Sequence, residues 1–179
     1  YMAYIEKTII AGEHIFKEKS FSARYGKKNI PRGPNWNECS EVQRRRNELL
    51  KKKRIVWNIC TNFKKSDWWV TLTYRRTERP DSMVMAKKQR SRFIRRLREK
   101  LKKKDIPLTY TAMTERGVKG GLHHHFIIKN VFDIGIIISL WEHGKVHIEN
   151  IYTDSMYDLA MYFVKGDSEK SEKDHIKMY

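Results

Sequence analysis

The chain has 179 residues, 40% hydrophobic and 12% aromatic, which is enough for one folded core and rules out a wholly disordered segment. Lys and Arg total 38 against 21 Asp and Glu, a formal net charge of +17, so polyanions are the expected partners. The longest apolar run, Ile134 to Trp141, falls far short of the roughly 18 residues of a membrane span. With no basic amphipathic terminal helix either, nucleic acid is favoured over a membrane and a cytoplasmic location is expected.

Taken in chain order, Tyr4 to Ile10 and His14 to Phe21 are β-compatible runs flanking Ala11-Gly12-Glu13, which predicts a hairpin. Arg24 to Pro34, with its Gly and Pro residues, reads as a loop. A helix is expected from about Glu38 to Cys60, where Val42, Leu49, Leu50, Val56, Trp57 and Cys60 make a partial apolar face. Its basic clusters, Arg44–Arg46 and Lys51–Arg54, lie around that face. Cys39 and Cys60 have no CxxC partner, so neither a disulfide framework nor a cysteine zinc site is expected.

Trp68–Tyr74 is a strand rich in β-branched and aromatic residues. Pro80-Asp81-Ser82 opens a helix with Asp81 or Ser82 as N-cap, and Phe93, Ile94, Leu97 and Leu101 give it an apolar face. Arg95, Arg96, Arg98 and Lys102 are among its basic positions and are candidate DNA contacts. Pro107 stops the helix, and Leu108–Glu115 returns as a strand. A turn at Gly117–Gly121 lets Leu122–Lys129 pair back antiparallel. A short apolar helix over about 133–141, a strand over 145–150, a helix over about 154–165 and a charged tail complete the chain. The expected fold is α+β: an antiparallel sheet with packed helices in the ferredoxin-like split βαβ order, as one domain over 1–179. Residues 68–165 would be its catalytic core, and residues 1–60 a hairpin-plus-helix extension.

Side chains alternate across a strand, so His123 and His125 share a face and His124 points the other way. Two imidazoles so placed can share a cation, and the hairpin brings Glu115 beside them as an oxygen ligand. A carboxylate ligand and a phosphate substrate favour Mg²⁺ or Mn²⁺ over structural zinc. His124, if it enters the packed side, must be neutral and hydrogen-bonded.

Tyr162 and Lys165 are three residues apart, on one helix face about a turn apart. A phenol is a poor nucleophile until a cation or base lowers its proton affinity, and Lys165 and a metal ion both supply positive charge. Tyr157 lies about 140° around the helix from Tyr162 and is read as a packing residue. Thr71 and Thr73 share one face of the first core strand, opposite Val70, Leu72 and Tyr74. Trp36, Trp57, Trp68 and Trp69 are candidates for base stacking, with none assigned.

Three segments in order, Trp68–Tyr74, Gly121-Leu122-His123-His124-His125-Phe126-Ile127-Ile128 and Tyr162-Phe163-Val164-Lys165, resemble the motifs of the HUH endonucleases. The resemblance spans about residues 68–165 and is closest to single-tyrosine rolling-circle replication initiators (Rep proteins) of bacterial plasmids and filamentous-phage-like elements. It implies metal ligation by His123, His125 and Glu115, with Thr71 and Thr73 close to bound DNA. It also implies sequence-specific nicking of single-stranded origin DNA through a covalent 5′-phosphotyrosine at Tyr162, and religation by the reverse attack. His124 stands where the family pattern has a hydrophobic residue. No GxxxxGK[ST] loop occurs, so a separate helicase and replication machinery are expected partners. HUH-type transposases share the motif order but carry glutamine at the position of Lys165; relaxases place the tyrosine before the histidines. The rival readings from other classes are a non-catalytic single-strand binder and a zinc-stabilised structural domain.

Overall fold

Along residues 68–73 buried and half-buried side chains alternate strictly, because the strand lies between two layers that it serves differently. The computed structural model describes residues 4–21, 40–117, 120–152, 155–164 and 177–178. In chain order the elements are β1 (Tyr4–Ala11), β2 (His14–Phe21), α1 (Glu41–Asn62), β3 (Trp68–Thr73), α2 (Met83–Lys102) and β4 (Tyr110–Arg116). They continue with β5 (Leu122–Ile128), α3 (Gly135–Leu140), β6 (Val146–Asn150), α4 (Met156–Val164) and β7 (Lys177–Met178). The expected loop at 24–34, Trp36, Cys39 and Lys165 lie outside the described residues.

β1 and β2 form a separate hairpin, and the other strands make one sheet in the order β6-β3-β5-β4-β7 with every pairing antiparallel. β5 is inserted between β3 and β4, and β3 between β5 and β6. The connections through α2 and α3 therefore each cross over one strand, the split βαβ pattern that hairpin pairing of β4 with β5 produces. Where a charged tail is expected, residues 177–178 instead pair with Thr111 and Ala112 and cover the outer edge of β4.

One face of the sheet packs against α2 and α3. Val70, Leu72, Ala112, Phe126 and Ile128 meet Phe93, Ile94, Leu97, Leu101 and Ile137 there. The other face, with Met113 and Ile127, is covered by α1 and α4 through Ile55, Val56, Ile59, Ala160 and Phe163. At about 1.5–3 kcal/mol for each fully buried large apolar side chain, both layers are needed to offset the entropy of ordering the chain. The C-terminal half of α1 is thus part of the second layer, together with α4. Cys60 is buried in it as a free thiol that burial pushes up to about 11, which suits packing and not nucleophilic chemistry.

Caps fall where the side chains dictate. Ser40 accepts from the Gln43 backbone N–H to start α1, and Ser82, not Asp81, accepts from the Met85 N–H to start α2. Asp67, buried beneath the start of β3, accepts from the backbone N–H groups of Lys64 and Asn130 and so ties that strand to the end of β5. Gly12 turns the β1–β2 hairpin at φ +59°, against the C-terminal turn of α1. A Cβ there would run into the Cys60 carbonyl oxygen, which is backbone and has nowhere to go. Gly12→Ala is therefore expected to cost about 1–3 kcal/mol. A urea-unfolding midpoint equal to that of the parent protein would show that the hairpin is not seated on the helix as described.

Candidate metal centre and nucleophile

The register of three strands assembles the site. Thr73, His123 and Glu115 are cross-strand partners, as are Thr71, His125 and Met113. All project from the sheet face that α1 and α4 cover, because residues directly opposite one another in paired strands point the same way. The next row on that face is Trp69, Ile127 and Thr111.

Glu115, His123 and His125 offer one ligand atom each, all within 4.8 Å of one another. The Glu115 Oε2 atom lies 4.0 Å from His123 Nε2 and 3.8 Å from His125 Nε2. Ligand atoms between 3.8 and 4.8 Å apart can all reach one point at roughly 2.2–2.5 Å, at the long end of divalent-cation bonds to nitrogen and oxygen. Two nitrogens and an oxygen, partly buried on paired strands, thus fit a divalent cation.

His125 has a partner behind it. Its Nδ1 lies 3.1 Å from the Thr71 hydroxyl. A cation on Nε2 would leave the proton on Nδ1 to be donated to Thr71 Oγ1, so this contact would hold both tautomer and ring orientation. Thr71 therefore serves the imidazole directly, a role that its motif position does not reveal. Thr73 instead donates to the carbonyl of Lys145, just before β6.

His124 enters the opposite layer and is fully buried. Its Nδ1 lies 2.9 Å from the Thr114 hydroxyl and its Nε2 lies 2.7 Å from the Tyr74 hydroxyl. Buried Arg90 on α2 donates to the same Thr114 oxygen at 2.8 Å. Burial drives His124 well below the ordinary imidazole range, and the Arg90 charge adds to this. The ring is neutral and satisfied on both nitrogens, as the residue's place in a packed strand requires.

Tyr162 stands on α4 with its ring edge-on to Trp69 at 5.8 Å and near His125 at 6.3 Å. Its hydroxyl donates to Glu115 Oε2 at 3.3 Å, so the phenol lies directly against the ligand group while remaining 42% exposed. Burial raises the proton affinity of this phenol, and the Glu115 carboxylate raises it further by charge and by the hydrogen bond. Tyr157 points elsewhere, against His14 and Phe16 of β2. Lys165 lies outside the described residues.

The basic residues of α2 do not converge on this site. Helix α2 packs on the His124 side of the sheet, so the exposed Arg95, Arg96, Arg98 and Lys102 belong to the layer across the sheet from His123 and His125. Arg96 is held there by Glu142 at 2.7 Å, and Arg95 lies 3.9 Å from Glu99. Trp69 is one of four tryptophans that the sequence leaves unassigned, and the structure singles it out by its contacts with His125 and Tyr162. Trp68 is buried in the opposite layer, and Trp57 packs between β2 and the second layer.

Two expectations follow. Thr71→Val should weaken Mn²⁺ binding about tenfold to a hundredfold with little loss of fold stability. Equal calorimetric affinities for parent and variant would remove Thr71 from the site. Secondly, the unfolded chain takes up a proton on His124 near pH 6.5 that the folded chain refuses, so this residue's contribution to stability is complete above that pH. As pH falls below about 6.5 that contribution is lost. In chelator, the unfolding midpoint should drop from pH 7.5 to 5.5 by more in the parent than in His124→Leu, and parallel losses would count against it.

The family model of replication-associated protein ORF2 matches residues 67–167, a segment that contains β3 through α4 and every site residue named above. No match was found among curated proteins or among solved structures.

Proposed function

The chain belongs to the replication-associated protein ORF2 family, and from that premise we propose that it nicks and rejoins single-stranded origin DNA at the start of rolling-circle replication. Membership supports a role in replication initiation. The observation that carries the chemistry is the Tyr162 hydroxyl bonded to Glu115, the carboxylate that shares a ligand group with His123 and His125.

In this reading Tyr162 is the single nucleophile of an HUH-type site. Its Oη gives up its proton to solvent and attacks the scissile phosphorus, the P–O3′ bond breaks, and the departing 3′ oxygen takes up a proton. The 5′ phosphate stays on Tyr162, and the free 3′ hydroxyl primes synthesis. Attack by a 3′ hydroxyl on the phosphotyrosine reverses the step, and since one phosphoester replaces another no nucleotide triphosphate is consumed. Glu115, His123 and His125 would hold Mg²⁺ or Mn²⁺, which when bound polarises the phosphate and offsets the charge that grows on it. Thr71 orients the His125 ring, and α4 holds the phenol at the edge of the group, so the reacting atoms meet without a large rearrangement. Lys165, three residues after Tyr162, is proposed to favour the phenolate by its charge. A helicase on a separate chain would supply unwinding.

Incubation with pooled single-stranded oligonucleotides and Mn²⁺, read on denaturing gels, tests this reading. A shifted protein–DNA band is expected that Tyr162→Phe abolishes, Tyr157→Phe retains, and His123→Ala reduces at least a hundredfold. Persistence of the band in Tyr162→Phe would falsify the assignment of the nucleophile.

A further inference from the structure

Beside the metal centre, on the far side of Trp69 and Tyr162, a cavity of about 450 Å³ opens to solvent between the end of β6 and the start of α4. Trp69 and Tyr162 form the wall shared with the site already described, and Tyr152 and Leu159 close the other sides. Tyr152 is 71% exposed, and its ring is thus free to move against a planar guest. The polar groups at the rim include Glu149, the cross-strand neighbour of Trp69, and Asp158 in the first turn of α4.

The charge of this cavity is opposite to that of the chain. The protein carries a formal net charge of +17, yet among the described residues no Lys or Arg lines the cavity and two carboxylates do. Carboxylates beside a DNA cleft repel phosphate, so the strand's backbone is not what this cavity takes. They accept hydrogen bonds from amino groups, and aromatic walls suit a flat ring. A base has both a ring to stack and an edge to donate.

We propose that this cavity takes one unpaired nucleobase adjacent to the scissile phosphate and selects a base with an exocyclic amine over thymine. The inference rests on the nicking reading for the position of the strand, since Tyr162 is at once the attacking residue and a wall of the cavity. A base lodged there brings the phosphate beside it within reach of the Tyr162 hydroxyl and the Glu115–His123–His125 group. Thymine has no amino group, and its one edge donor, N3–H, is flanked by two carbonyl oxygens that would face the charge of Glu149 and Asp158. The cavity is thus a specificity site that shares one wall, Tyr162, with the proposed chemistry.

The test is a randomised single-stranded oligonucleotide pool, sequenced after two selections with the full chain: equilibrium capture in EDTA and covalent capture in Mn²⁺. The expected result is a preference of at least fivefold for amino-bearing bases at one position. In the covalent arm that position lies next to the joined phosphate. The double variant Glu149→Ala/Asp158→Ala should flatten that position and leave the preferences elsewhere intact. Leu159→Trp, which fills the cavity, should do the same and guards against a folding defect in the double variant. Adducts with unchanged preferences in both variants would overturn the cavity and leave the nicking reading standing. If adducts are absent but the captured pool shows one position flattened by the variants, the nicking reading fails and the base site survives. Absence of both effects overturns both.

Discussion

The pairing of β4 with β5 is the constraint on which the rest of the molecule depends. Glu115 lies opposite His123 and Thr114 opposite His124, so one register makes both the ligand group and the buried polar chain behind it. A slip of one residue would turn His124 into the site and send His123 and His125 into the α2 layer. Such a slip is disfavoured from both sides of the sheet. The neutral His124 would leave Thr114 and Tyr74, and apolar partners across the strand would face solvent. The Arg90–Thr114–His124–Tyr74 chain thus pins the hairpin from the layer opposite the ligand group. A hydrophobic residue at 124 would pack as well but would not distinguish one register from its neighbour so sharply.

What could be read from the residues follows the same division. Period-two alternation in a strand is a local property, so the shared face of His123 and His125 and the opposed face of His124 were visible in the sequence. A cap at Asp81 or Ser82 and the turn through Gly117–Gly121 were visible for the same reason, and the structure selects Ser82. Contacts set by tertiary packing were not. The bond from Tyr74 to His124 spans 50 residues, and nothing local marks Arg90 as buried among the exposed cations of α2. The side of the sheet on which α2 lies is decided by how its connection crosses β5. The sequence therefore makes its basic residues candidate DNA contacts without saying on which side of the sheet they lie. A two-residue strand such as β7 has no periodicity at all, and it was hidden in a charged tail.

Glu115 carries two demands on one oxygen. The Oε2 atom nearest both imidazoles is also the acceptor of the Tyr162 hydroxyl, and its charge raises the proton affinity of that phenol. Without a cation the group therefore holds the tyrosine protonated and quiet. The same contact keeps the hydroxyl at the edge of the ligand group, where a cation's field would act in the opposite sense. Orientation and activation are separated, with the fold supplying the first.

The nine residues of α4 carry Tyr162 on a helix whose Met156, Ala160, Phe163 and Val164 are buried against the second layer. An aromatic side chain on such a helix has few rotamers to explore, and Trp69 restricts them further by its edge-on contact. Most of the orientational entropy that a bimolecular attack would lose at every turnover has thus already been surrendered during folding.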